Sequence, residues 1–236
     1  MLDFEQQSRE RLPAAVYDLA IRLGADPALN RSTVRLRQTG QMKDVGATRW
    51  MTFRATQTMS SRTCDFDWRA RFGPLGVIHV RDAFQNGEGH LTVKALGLIP
   101  IVRTPSSAQL SRGELMRYLA ELAWVPDAIL LNNELRWRQD GPDTLAVSAG
   151  TGETAAEVVL TLDSQGRVAG AFAPNRALGL KPPYQLTPWR GRFSDYRRCQ
   201  NMWLPFAGEV GWEIDSKLTI YFQCQVEAWQ SPATGK

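Results

Sequence analysis

The sequence predicts an α+β fold: a large curved antiparallel sheet of about eleven strands, an open or partial barrel, with two or three helices. Three observations predict it. Beyond Asn30 most of the chain alternates apolar and polar residues with a period of two, the mark of half-buried antiparallel strands. A single strong helical pattern, Ser111 to Pro126, interrupts these consecutive hairpins, so its simplest seat is the concave face of the sheet they form. Eight tryptophans, Trp50, Trp68, Trp212 and Trp229 among them at strand positions, suit a large core and its rim. The expected organisation is one domain over residues 1–236. It comprises a helical segment at 1–30, the curved sheet at 31–230 with a central helix at 112–124, and a polar tail at 231–236.

Pro13 to Leu23 reads as an amphipathic helix, with Val16, Leu19, Ala20 and Leu23 on one face, Pro13 in the first turn and Gly24 at the C-cap. Strand alternation then appears at Val34 and Leu36, across Trp50–Thr56, and at Phe66, Trp68 and Ala70. It continues through Val77–Phe84 and His90–Leu98, joined by Gln85–Gly89, which contains the Asn-Gly pair of a hairpin turn. The central helix opens with a capping box, Ser111 at N-cap and Glu114 three residues on, and stops at Pro126. Further strands are expected at Glu134–Arg138, Thr144–Ala149, Glu157–Leu162 and Val168–Phe172. A proline-rich loop from Pro174 to Pro188 then interrupts the pattern. Three or four more strands complete it, ending with Lys217–Trp229.

Composition excludes several classes. The charge of +4 comes from 28 basic and 24 acidic residues spread along the chain, without the clustered stripe of a nucleic-acid binder. Cys64, Cys199 and Cys224 are too few and too scattered for a disulfide framework or a zinc knuckle. With an acidic, polar start in place of a leader peptide, they point to the cytoplasm. No apolar run approaches the ~20 residues that cross a bilayer as a helix. There is no phosphate-binding loop, no dinucleotide fingerprint, no nucleophile elbow and no HExxH, so neither cofactor nor metal is expected.

The polar group most able to do chemistry lies on the central helix. Glu114, Arg117, Tyr118 and Glu121 are three, four and seven residues apart, and so share one side. A carboxylate held in an apolar cavity has a raised pKa, and can act as an acid or grip a polar head group. The same spacing also suits ordinary helix ion pairs, Arg117 with Glu114 and Glu121. His79 and Asp82 are three apart in a strand, so they fall on opposite faces and form no dyad.

Several stretches carry a family resemblance. They include Trp50–Gln57, Phe66–Arg71, Arg81–Phe84, Leu96–Pro100, Thr187–Gly191 and Gly208–Trp212. The longest is Gly113-Glu114-Leu115-Met116-Arg117-Tyr118-Leu119-Ala120-Glu121-Leu122-Ala123-Trp124-Val125-Pro126. With these motifs the chain resembles an uncharacterised bacterial domain-of-unknown-function family from about Leu12 onward. It is also similar, more distantly, to the half-barrel of bacterial lipoprotein carriers (LolA-like), which implies an antiparallel sheet curled around helices.

The expected function is therefore non-catalytic binding of a lipid-like or other small amphiphile between the curved sheet and the central helix. Glu114, Arg117, Tyr118 and Glu121 would supply polar contacts, with Trp68, Trp124 and Trp189 as walls. An alternative is an enzyme using Glu114 or Glu121 as acid or base with Arg117 holding an anionic substrate. A third reading is a structural or protein-partner module. Missing catalytic signatures favour binding.

Overall fold

Strand alternation puts one face of each hairpin in water and the other against helices, and the architecture follows from that division. The computed structural model describes residues 10–29, 31–179 and 183–231, so the start Met1–Ser8 and tail residues 232–236 lie outside the described residues. Helix α1 (Ala14–Leu23) precedes β1 (Thr33–Met42), β2 (Met51–Ser60), β3 (Phe66–Phe72), β4 (Ile78–Gln85), β5 (Glu88–Ala95) and β6 (Ile99–Thr104). Helix α2 (Ala108–Ala120), a 3₁₀ turn (Glu121–Trp124) and α3 (Asp127–Leu131) follow. The chain returns through β7 (Arg136–Gly141), β8 (Thr144–Ala149), β9 (Ala156–Leu162) and β10 (Val168–Leu178). It finishes with β11 (Gln185–Cys199), β12 (Met202–Ile214) and β13 (Lys217–Gln230).

Among the described residues thirteen strands form one antiparallel sheet in the order β6-β5-β4-β3-β2-β1-β13-β12-β11-β10-β9-β8-β7. The first and last strands pair at its centre, and the helical segment joins its two edges, β6 and β7. To do so the segment must cross the sheet. Helix α2 accordingly packs on β4 and β5 of one arm and on β8, β9 and β10 of the other. The sheet curls around it as a half-barrel, the class expected, with thirteen strands in place of about eleven.

The differences have local causes. β6 contains Pro100, which tolerates an edge position because no ladder donor is needed there. Pro174 lies within β10 and Pro188 within β11, where a loop was expected. The β10–β11 register shifts between Ala173 and Arg176, and Pro188 sits opposite this bulge, so both prolines fit inside strands. The first arm's hairpin turns on Asn86 (φ 53°) and Gly87 (φ 83°) alone, tighter than the five-residue link expected. β7 begins at Arg136, two residues later than expected.

The capping box is also relocated. Ser107 is the N-cap of α2, its side chain accepting from the Leu110 amide at 3.1 Å. Ser111 lies one turn inside the helix, where its Oγ accepts from the Gly89 amide of β5 at 2.9 Å. Helix α1 matches its expected extent; Val16, Leu19, Ala20 and Leu23 are buried, and Gly24 closes it at φ 87°. A buried pair, Arg31 Nε to Asp127 Oδ2 at 2.6 Å, fastens the chain between α1 and β1 to α3.

Candidate functional site

β2, β3 and β4 bring three concave-facing residues into one row: Gln57 opposes Trp68, and Trp68 opposes Asp82. Each strand supplies its member through simple alternation, since Phe53, Ala55 and Met59 share the phase of Gln57, and Ile78, Val80 and Phe84 that of Asp82. His79 has the opposite phase, as expected, and faces outward beside Arg71 and Lys94.

Helix α2 lowers its polar side onto this row. Arg117 Nη1 donates to Asp82 Oδ2 at 2.6 Å, and Arg117 Nε donates to Glu121 Oε1 at 2.9 Å. The guanidinium lies 4.9 Å from the Phe66 ring centre and 5.2 Å from that of Trp68. Gln57 Nε2 donates to Glu121 from the sheet side. Glu114 does not pair with Arg117 but turns to the other arm, where Arg176 of β10 approaches it at 3.4 Å. Arg176 is itself stacked on Trp189 at 4.6 Å and Trp212 at 5.9 Å. Three carboxyl groups and two arginines thus form one cluster, each arginine resting on an aromatic pair.

Fully ionised, the cluster carries three carboxylates against two arginines. Asp82 Oδ1 and Glu114 Oε2 are both buried, and neither has a hydrogen-bond donor. Burial, and then the negative charge of Asp82, push the Glu114 carboxyl up to about 8. Both effects favour the protonated form of Glu114 beside Asp82. Burial alone would pull Arg117 down, but the charges of Glu121 and Asp82 hold it above its ordinary value.

The remaining expected residues separate. Tyr118 points away from the cluster. Its hydroxyl donates to the Ser60 carbonyl at 2.8 Å and accepts from Asn132 Nδ2 at 3.2 Å, so it ties α2 to β2 and α3. Trp124 donates to the Pro205 carbonyl at 2.8 Å, and its own carbonyl accepts from Trp229 at 2.8 Å. Trp124, Trp189 and Glu121 border one small cavity of about 20 Å³, closed by Phe193, Val210 and Phe222. That is room for about one water. A hollow of about 690 Å³ is an open trough on the outer face of the sheet, lined by Gln41, Arg192, Ser194, Glu209, Gln223 and Gln225. It does not contain the expected site.

Beyond α2 the concave face continues uncovered. Ile78, Val80, Val93 and Val102 of the first arm, and Val210 and Phe222 near the centre, are only half-buried there. A one-residue bulge places Tyr221 and Phe222 together on this face. Tyr221 stacks on Trp212 and accepts from Trp189 Nε1 at 3.2 Å, and Phe222 stacks on Phe53.

Asp82, Gln57 and Arg176 complete the cluster and were not anticipated. Asp82 and Gln57 carry a readable signal, a polar residue in the apolar phase of a strand. Arg176 carries none, because the bulge at Pro174 shifts its phase. The model of a family of unknown function, DUF6544, matches residues 3–224. The chain belongs to DUF6544. No curated protein matches it. Solved structures similar to this DUF6544 chain share its half-barrel. One is a domain from Vibrio parahaemolyticus described as an outer-membrane lipoprotein-sorting protein (TM-score 0.52, 10% identity, 94% of this chain and 92% of that one). Another is a DUF1329 family protein from Desulfovibrio piger (TM-score 0.51, 11% identity, 94% of each chain). A third is a LolA superfamily protein from Nitrosomonas europaea (TM-score 0.50, 10% identity, 92% and 91%). These likenesses establish the fold of the DUF6544 chain. No helix among its described residues is long and apolar enough to cross a membrane.

Proposed function

We propose that this protein binds an apolar or amphiphilic small molecule on the concave face, its apolar part along the uncovered wall and its polar end at the α2 cluster. One observation carries the reading: half-buried Val80, Val93, Val102, Val210 and Phe222 line the concave face beside a buried cluster of Arg117, Asp82, Glu114 and Glu121. Binding sites for such molecules combine an apolar wall with a few placed polar groups. The space beneath α2 itself is filled, so the ligand lies alongside the helix. Arg117 is engaged by two carboxylates, which disfavours an anionic head. The half-barrel shared with a LolA superfamily protein supports the same reading. The three free thiols suit the reducing cytoplasm that the sequence suggested.

The acid–base reading has one observation in its favour, the raised proton affinity of Glu114. It needs substrate access to a side chain that is enclosed. The test is native mass spectrometry of the purified full chain, with solvent extraction of anything bound, and titration with a fluorescent long-chain alcohol. Saturable uptake that Val93→Glu abolishes is the expected result. A clean apo mass together with no uptake of the alcohol overturns the proposal.

A further inference from the structure

One end of the sheet is unlike the rest of the surface. The β1–β2, β3–β4 and β5–β6 connections all emerge there, since β1, β3 and β5 end at it and β2, β4 and β6 begin at it. The Leu96 amide donates to the Val77 carbonyl, so the second and third connections touch. Gly97 lies against the His79 ring; a Cβ there would approach it to 3.1 Å. The residues these connections present are apolar and strongly exposed: Leu75 86%, Leu98 82%, Leu96 64%, and, at the start of β6, Ile99 60% and Ile101 57%. Exposed large side chains scattered singly need no explanation, but five on adjacent connections and one edge strand form a patch.

Behind the tips runs a row of basic residues. Arg54, Arg71, His79 and Lys94 oppose one another in register across β2, β3, β4 and β5. Arg54, Arg71 and Lys94 are exposed, and none of the three has an ion-pair partner among the described residues. Like charges set directly opposite repel, so the row weakens the sheet unless something negative neutralises it. The β1–β2 connection contributes one acid at this end, Asp44. Lys94 stands two residues behind Leu96, and Arg71 four behind Leu75, a setback of roughly 7–13 Å along an extended chain. Apolar groups seated in a bilayer interface bury to ~5–10 Å, with basic groups at headgroup level above them.

We propose that this end of the sheet docks on a bilayer containing anionic lipids, with Leu75, Leu96, Leu98, Ile99 and Ile101 in the interface and Arg54, Arg71 and Lys94 against the headgroups. The proposal is independent of the concave-face site, which uses none of these side chains. It selects a lipid surface over a second copy of the chain because the patch and its cations would meet the same cations in a symmetric pair.

The test is co-sedimentation of the full chain with vesicles of phosphatidylcholine and phosphatidylglycerol at a ratio of roughly 7:3, in about 0.1 M NaCl. Binding is expected, and it should fall more than tenfold on pure phosphatidylcholine or in about 0.5 M NaCl. The Leu75→Ser/Leu98→Ser variant alters exposed side chains only, and should keep the wild-type melting curve while losing more than tenfold in vesicle binding. Arg71→Glu/Lys94→Glu should do likewise. The proposal is overturned if the wild type does not bind the anionic vesicles, or if the leucine variant binds as well as the wild type. It is also overturned if sedimentation velocity shows a dimer that the leucine variant dissociates, which would assign the patch to a second copy.

Discussion

Asp82 of β4 and Glu114 of α2 present buried carboxyl oxygens that lack any donor, and one proton held between them is the simplest way to satisfy both. Glu114 meets Arg176 on its other side. Helix α2 thereby links the two arms of the half-barrel through a chain running Asp82, Glu114, Arg176.

This pairing makes stability depend on pH with a definite sign. Glu114 is raised from the ordinary carboxyl value to about 8, so the folded protein holds its proton more tightly than the unfolded chain. The stabilisation is full below the unfolded pKa near 4.5 and is lost as pH rises to about 8. Urea denaturation across pH 5–9 should show this decline. Glu114→Gln, which keeps a donor facing Asp82, should flatten the decline and be the more stable protein above about pH 8.

Arg117 bridges Asp82 and Glu121 with its side chain only 12% exposed. Arg117→Ala strands both carboxylates and removes the cation above Phe66 and Trp68. The expected loss is about 3–5 kcal/mol, read as a melting temperature roughly 10 °C lower. Arg117→Lys should recover part of it, since an ammonium cannot reach both carboxylates in the same plane.

Asp127 accepts from Arg31 Nε at 2.6 Å and from Arg31 Nη2 at 3.0 Å in the interior, and from the half-buried Asp26 amide at 2.9 Å. Asp127→Ala leaves a buried guanidinium uncompensated and should cost about 3–5 kcal/mol by chemical denaturation. The double change Arg31→Met/Asp127→Leu should recover most of that stability.

Gly89 lets β5 touch α2. A Cβ at this position would lie 2.9 Å from the backbone of Leu110 and Ser111. Gly89→Ala should therefore push the helix off the first arm and break the Gly89–Ser111 hydrogen bond. The measurable outcome is destabilisation of about 1–3 kcal/mol, with faster hydrogen exchange in α2 than in β12 and β13.

The sheet was legible because its strands alternate so regularly; Phe66, Trp68, Ala70 and Phe72, for example, are all buried while Arg69 and Arg71 are exposed. β6 was hidden by its two-residue neighbourhood of Pro100 and by lying at an edge, where burial imposes no alternation. Pro174 and Pro188 read as a loop because a bulge is invisible without its partner strand. For the site, helical spacing located Glu114, Arg117 and Glu121. It could not show that Glu114 turns to Arg176, because that partner lies 62 residues away. Tyr118 has the same spacing as the cluster, yet its ring is drawn to Ser60 and Asn132 across a different packing boundary.

The central pairing of β1 with β13 sets an order on biosynthesis. Gln38 meets Val226 and Leu36 meets Trp229, so the middle of the sheet waits until β13 has left the ribosome. Until then the nascent chain carries an open strand edge on β1 in a growing polypeptide. A truncation removing β13 would consequently split the sheet through its middle instead of trimming a margin, leaving two half-sheets joined through the helices.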